Sequence, residues 1–287
     1  MILSATGKWG WSFQSSWPCA RESGTVWRRP EQGTVALEWS GYGVVLTTRK
    51  HGENDVILEV MTADRGRHLG LVRGGRSKRH RPALQPGNEL SLTWKARLSD
   101  HLGQFQIEPH TARAADLMNS GIGLAAVQHL AALVRLLPER HPYPRIYGAL
   151  NVVLDHLDAS DAAAALMIRF ELELLQELGA GLDLTSCAAT GTTDDLAYVS
   201  PRSARAVSRE AGQPYHDKLL PLPSFLLDGQ RQAGTELTWQ DVTQGFQLTG
   251  FFLDRQLGER NITDSGTRTL LMNALEKRYR SEFPWNF

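Results

Sequence analysis

The sequence predicts an α+β protein in which a small five-stranded barrel precedes an α-helical bundle. Three observations carry that expectation. Short runs rich in β-branched and alternating apolar residues crowd into 42–109, and after Pro109 the apolar spacing changes from every second residue to every third or fourth. Charge segregates along a chain that is formally neutral: residues 37–115 hold twelve Lys or Arg against eight Asp or Glu, and residues 116–287 hold fifteen against twenty-one. A basic first module followed by an acidic second one points to a polyanion partner for the first and a protein partner for the second.

Residues 1–36 show neither period, although they contain Trp9, Trp11, Trp17 and Trp27. We expect them to be an extension, disordered or upstream of the true start, with ordered patterning beginning near Leu37-Glu38-Trp39. Strands follow at YGVVLTT (42–48) and DVILEVMTA (55–63), with a hairpin turn at Asp64-Arg65-Gly66 and a return at RHLGLVR (67–73). After the turn Pro86-Gly87-Asn88, ELSLTWKARL (89–98) places Leu90, Leu92, Trp94, Ala96 and Leu98 on one face. HLGQFQIEP (101–109) completes the set. Five short strands in so few residues fit the oligonucleotide-binding (OB) barrel, a small all-β solution that takes single-stranded nucleic acid.

Helical stripes then recur over 121–137, 145–158 and 161–178, broken by Pro138 and by Gly179-Ala180-Gly181. Residues 182–212 interrupt the pattern, Pro-rich 219–227 leads back to helix, and further helices are expected over 239–257 and 266–280. The resulting division is an extension (1–36), a barrel (37–113) and a helical domain (114–287) with an insert at 182–212.

Composition removes several classes of function. No apolar run approaches the length of a membrane span, and the start lacks the basic, then apolar, character of a secretory signal. Two distant cysteines, Cys19 and Cys187, provide no disulfide framework, so a soluble protein of the reducing cytoplasm is expected. No phosphate-binding Walker loop, Gly-x-Ser-x-Gly or His-Glu-x-x-His occurs. Glu171 and Glu173 stand two apart and share no helical face. An enzyme is not expected.

The densest chemical signal is 65–81, RGRHLGLVRGGRSKRHR, with seven cations and no carboxylate. Gly74-Gly75 allows a sharp turn that would present backbone N–H groups beside those cations, an arrangement suited to phosphate. Arg73, Arg76, Lys78, Arg79 and Arg81 are the expected DNA-backbone track, with Arg49, Lys50 and Lys95 widening it from neighbouring strands. Trp94 lies on an apolar face and is expected in the core, so stacking contributes little and electrostatics must carry the affinity. An RNA-binding or ribosome-associated barrel protein is the alternative, although such readers usually show exposed stacking aromatics.

These same residues carry a family resemblance. GVVLTTRKHGENDVILEVMT (43–62), VRGGRSKR (72–79) and LQPGN (84–88) closely resemble the start of the RecO family of bacterial DNA repair and recombination mediators. The pattern appears at Arg49, Gly52-Glu53, Thr62, Gly66, Arg73-Gly74 and Leu84-Gln85-Pro86, and the helical half is similar in order and size. The resemblance implies an OB barrel and a helical bundle with a zinc-ribbon-like insert, in a nucleoid-associated protein. It also implies binding to single- and double-stranded DNA, annealing of complementary strands, contact with the single-strand-binding protein SSB, and work with RecR to load RecA on SSB-coated DNA.

Two features are expected within that resemblance. The family's zinc form has two Cys-x-x-Cys pairs, but here they read Cys187-Ala-Ala-Thr190 and Ser208-Arg-Glu-Ala211, with His216 the nearest histidine. The insert is therefore expected to be degenerate and metal-free, without a cofactor, and packed through Leu196, Tyr198 and Val207. An SSB tail, acidic and ending in Phe, needs an apolar pocket rimmed by cations. Arg135, Arg140 and Arg145, with Tyr143 and Ile146, are the expected rim.

Overall fold

The computed structural model describes residues 37–157, 160–227, 237–259 and 266–282. The four tryptophans and Cys19 of the N-terminal stretch lie outside the described residues. The chain divides into two compact units. One contains the barrel, the first three helices and most of the last; the other contains most of the fourth helix, the insert and the sixth helix.

In the first unit, strands β1 (Leu37–His51), β2 (Asp55–Thr62), β3 (Gly66–Val72), β4 (Glu89–Ala96) and β5 (Gln104–Thr111) form a closed barrel in the order β1-β2-β3-β5-β4. This is the OB-type barrel expected from the strand pattern. β1 begins earlier than its β-branched run at Tyr42, because Leu37–Gly41 continues the ladder against Ala96–Leu92 of β4. A row traced across the sheet runs from Arg49 to Ile57, Leu71, Gln104 and Lys95 and returns to β1 at Glu38. It comes back far along the strand from where it started, which is the stagger that closing a small barrel demands. Closure between β3 and β5 is narrow: they share one parallel pair, Leu71 with Gln104.

Alternation puts the next row inside. Leu58, Leu90, Leu92, Trp94 and Phe105 fill the barrel, as expected for Trp94. Trp39 stacks on Trp94 at 6.1 Å, and Gly70 leaves the space that the Phe105 ring occupies, where a Cβ would lie 2.5 Å from it. His68 is enclosed among these rings, 5.1 Å from Trp39 and 4.9 Å from Trp94 centre to centre. Neither of its ring nitrogens has a hydrogen-bond partner among the described residues.

The stripe expected over 121–137 forms one helix, α2 (Gly123–Val134), and a short helix, α1 (Ala114–Asn119), precedes it. Leu137 is buried in the connection beyond α2. α3 (Pro144–Asp155) carries its proline in the first turn, where the missing N–H is not needed. Val127, Leu130, Leu150 and Leu154 approach Val44–Leu46 of β1, where the strand register is interrupted by a bulge. Glu59 of β2, almost fully buried, accepts from Arg67 of β3 at 3.0 Å and from both nitrogens that Arg135 offers from the end of α2, at 3.1 and 2.8 Å. Burial pushes its carboxyl upward, but the guanidiniums of Arg135 and Arg67 outweigh that and hold it below the ordinary value.

In the second unit, the α4 helix (Ser160–Glu177) and α6 (Trp239–Glu259) supply buried Phe170, Leu174, Val242, Phe246 and Phe252. Glu171 is fully buried and accepts from the Thr249 hydroxyl, a structural role. The insert is a small sheet of β6 (Leu196–Val199), β7 (Ala206–Ser208) and β8 (Leu220–Pro221), ordered β7-β6-β8, with the short α5 (Arg209–Gly212) between the last two. It thus extends past the expected end at 212, since the Pro-rich segment first pairs with β6 before the chain returns to helix. Leu196 and Val207 are buried, and Tyr198 packs over Gly212. The last helix is α7 (Thr267–Glu282).

Burial, reinforced by the charges of Arg140 and Arg65, lowers His68 to about 4. An unfolded histidine titrates near 6.5, so the unfolded chain takes up this proton first. The stabilisation is complete above pH 6.5 and is lost as pH falls toward 4, on the order of 3 kcal/mol in total. In urea titrations between pH 7.5 and 4.5, the wild type should lose more stability than His68→Leu. Parallel losses would show that His68 is not the acid-sensitive group.

Candidate nucleic-acid interface

The basic ribbon leaves β3 after Val72 and turns at Gly74, whose φ of +62° is the left-handed conformation that favours glycine. The N–H groups expected to face phosphate are committed internally. Gly74 N–H donates to Asp55 Oδ1 at 2.8 Å, Arg76 N–H to Asn54 O at 3.0 Å and Ser77 N–H to Gly74 O at 3.0 Å. The glycine pair therefore docks the ribbon on the β1–β2 turn instead of forming an anion cradle.

The side chains do face outward. Arg73, Arg76, Lys78, Arg79 and Arg81 are all exposed. Arg76 Nη1 donates to the Glu53 carbonyl at 2.5 Å, while Arg73, Lys78, Arg79 and Arg81 form no ion pair among the described residues. Arg49 and Lys50, also exposed, end β1 on the other side of the same turn, in register with Ile57 and Val56 of β2 and so with Leu71 and Val72 of β3. Lys95 stands apart from this group on β4 and pairs with Glu38 at 3.0 Å.

One buried amide holds the far end of the ribbon. Asn88 Nδ2 donates to the carbonyls of Pro82 and Ala83 at 2.9 and 3.1 Å, and its Oδ1 accepts from Arg113 and Ala114 N–H at 2.8 Å each. Its own carbonyl accepts from Val45 N–H at 2.8 Å. The ribbon, β1 and the start of α1 are thereby fixed to a single residue.

The residues expected to rim a tail-binding pocket have other duties. Arg135 is engaged by Glu59. Arg140 donates to the carbonyls of Ser99 and His101 in the β4–β5 loop. Tyr143 and Ile146, expected as pocket lining, are 8% and 0% exposed and belong to the core. Arg145 is exposed in the first turn of α3. The apolar pair expected to line a docking groove, Tyr143 and Ile146, is part of the fold's own packing.

The two degenerate pairs of the insert do come together. Ser208 N–H donates to Cys187 Sγ at 3.2 Å, and Gly191 N–H donates to Cys187 O at 2.9 Å across a tight turn. Burial would raise the Cys187 thiol, but hydrogen bonds from Ser208 and Thr190 bring it down to about 6. One thiolate beside Thr190, Ser208 and Ala211 is not a donor set for structural zinc, which takes four Cys or His ligands. Amide and hydroxyl donors satisfy the sulfur here.

A five-stranded barrel with a cationic end, followed by helices and a small three-stranded insert, defines an OB-type protein. The N-terminal domain of recombination protein O matches residues 36–112, and its C-terminal domain matches residues 118–264. The DNA repair protein RecO of Chelativorans sp. (strain BNC1) is 53% identical over 242 residues, covering 83% of this chain and 96% of the relative. That of Mesorhizobium japonicum is 53% identical over 244 residues (85% and 95%), and that of Rhodopseudomonas palustris (strain TIE-1) 50% over 242 residues (84% and 97%). The chain belongs to the RecO family of DNA repair and recombination proteins.

Several residues escaped the sequence reading. Asn88 lay within a Pro-Gly-Asn turn whose composition gives no hint of a buried hub. Arg97, exposed and without an ion pair among the described residues, sits just past the end of β4. Arg140 was expected on a pocket rim, and its role as a structural tie to the β4–β5 loop went unread.

Asn88→Asp keeps the acceptor but replaces the donor to Pro82 and Ala83 with a carboxylate facing two carbonyls. It should lower stability by at least about 2 kcal/mol in urea unfolding, and limited proteolysis should find the ribbon first. In the insert, Thr190→Cys, Ser208→Cys and Ala211→Cys together should produce a chain that retains one zinc after dialysis, measured by metal analysis. Retention of none would mean that the two pairs do not have a ligand-compatible geometry.

Proposed function

We propose that this chain is a non-enzymatic recombination mediator of the bacterial cytoplasm, acting at the nucleoid. It binds single- and double-stranded DNA through the basic end of the barrel. Complementary strands anneal because the same positive surface lowers the repulsion between two phosphate backbones. RecR and SSB are its protein partners, and through them it helps RecA load on SSB-coated DNA. The observation that carries this reading is the ribbon itself: exposed cations, four without an ion pair among the described residues, on a backbone anchored at both ends. Membership in the RecO family and the DNA-repair names of its relatives support it. No helix among the described residues is long and apolar enough to cross a membrane.

Neutralising phosphates releases counterions, so affinity should fall with salt by a slope of about −0.7 per phosphate contacted on a single strand. Alanine at Arg73, Lys78, Arg79 and Arg81 together should weaken binding to oligonucleotides of any sequence, flatten that slope and slow annealing of complementary strands. Unchanged affinity and slope would place the DNA track elsewhere.

A further inference from the structure

Past its Gly74 turn the ribbon closes into a short helical turn. Ser77 Oγ accepts from His80 N–H at 3.3 Å and Ser77 O from Arg81 N–H at 3.0 Å, and Leu84 N–H donates to His80 O at 3.1 Å. Gln85 Nε2 adds a bond to Arg81 O at 2.9 Å. Residues three apart on such a turn lie side by side, so Lys78 stands next to Arg81, with Arg79 beside it in sequence. All three are exposed, none forms an ion pair among the described residues, and no carboxylate occurs from 65 to 81.

These cations differ in one chemical respect. Arg73, Arg76, Arg79 and Arg81 are guanidiniums, charged at every physiological pH. Lys78 is the single primary amine of the ribbon, and so the one ribbon charge that acylation removes. The other described lysines are set differently: Lys95 pairs with Glu38, Lys218 follows Asp217, Lys277 follows Glu276, and Lys50 has only Arg49 as a cationic neighbour in sequence besides His51. An amine among guanidiniums that hold an anion is placed to react with an electrophile that is itself anionic. An acyl phosphate is such an electrophile. Its phosphate end suits the side chains that suit a DNA phosphate, and its carbonyl carbon lies one bridging oxygen away.

We propose that Lys78 is an acylation site whose donor is a small acyl phosphate captured by Arg79 and Arg81, and that its acylation turns down DNA binding. Lys78 Nζ, having given one proton to solvent, adds to the carbonyl carbon. The bond from that carbon to the bridging oxygen breaks, orthophosphate leaves with the electron pair, and the second proton of the nitrogen passes to the departing phosphate. The product is a neutral amide in place of an ammonium. The regulatory half of the inference rests on the DNA-binding function proposed above and deepens it: acylation removes one phosphate contact, and a bound strand in turn occupies the arginines that capture the donor.

The full chain is incubated with acetyl phosphate at low ionic strength, and the acetyl groups are located by peptide mass spectrometry. Lys78 should react about tenfold faster than Lys218 and Lys277, the concentrating effect of a cationic patch on an anion. Added salt should remove that advantage, as should Arg79→Ala with Arg81→Ala, two changes at exposed positions. An uncharged donor, N-acetoxysuccinimide, should show no such advantage. Equal rates at these lysines with acetyl phosphate, or an advantage just as large with the uncharged donor, overturns the capture and with it the proposal. The treated chain should bind a single-stranded oligonucleotide about fivefold more weakly at about 0.1 M salt, the counterion release of one lost contact. Lys78→Arg, compared with itself before and after treatment, should not weaken. Acetylation of Lys78 with no loss of affinity overturns the regulatory role and leaves the DNA-binding reading standing. A chain that binds no oligonucleotide before treatment overturns that reading, while the rates at Lys78 still decide the acylation site.

Discussion

The side chain of Asn88 is the constraint on which the candidate interface depends. A buried primary amide has two donors and an acceptor that must be satisfied, and here the partners come from two separate pieces of chain. The donors hold the end of the basic ribbon, the acceptor starts the first helix, and the adjacent carbonyl joins β1. The β1–β2 turn secures the other end through Asp55 and Asn54. A loop of like charges would repel itself into an open conformation if tethered only by its ends in sequence. Hydrogen bonds at both ends overcome that repulsion and keep the cations on one edge of the barrel.

A second constraint decides which cations remain available. Glu59 is a buried carboxylate, and leaving such a charge without partners costs several kcal/mol. It draws in Arg67 and Arg135, and Arg67 in turn pairs with Glu139. Arg140 is committed to carbonyls of the β4–β5 loop. The arginines of this unit thus separate into those that hold the fold and those that face solvent, and the second group gathers around the ribbon and its neighbouring loops. Net charge alone cannot make that distinction, because a guanidinium engaged with a buried carboxylate counts the same as a free one.

Much of the barrel was legible in the sequence because period-two alternation reports directly which face is buried. Leu90, Leu92, Trp94 and Ala96 needed no tertiary information, and the cluster of cations was visible as a run. The partners of individual polar groups were not legible. The same Gly-Gly turn suits either an anion cradle or an internal dock, and the choice depends on Asp55 and Asn54 arriving from another strand. The tail pocket expected around Arg135 and Arg140 illustrates the same limit: local sequence shows arginines beside Tyr143 and Ile146, but burial consumed the apolar pair and long-range contacts consumed two of the cations. The helix expected over 121–137 appears as α2, whereas the six-residue α1 before it, with only Ala114 and Leu117 buried, carries too short an apolar pattern to be read. The insert was readable in its missing cysteines, since ligand chemistry is local, whereas its third strand was hidden in a segment that looked like a proline-rich linker.

The inward commitment of the ribbon's N–H groups has a consequence for motion along a bound strand. A backbone cradle grips a phosphate with donors of fixed geometry, so a one-nucleotide shift must break the entire set at once. Lysine and arginine side chains swing independently and can release one phosphate while retaining the next. On the proposed DNA-binding function, a strand held in that manner creeps past its neighbour in small, nearly isoenergetic steps, the freedom that two complementary strands need to find their register before pairing.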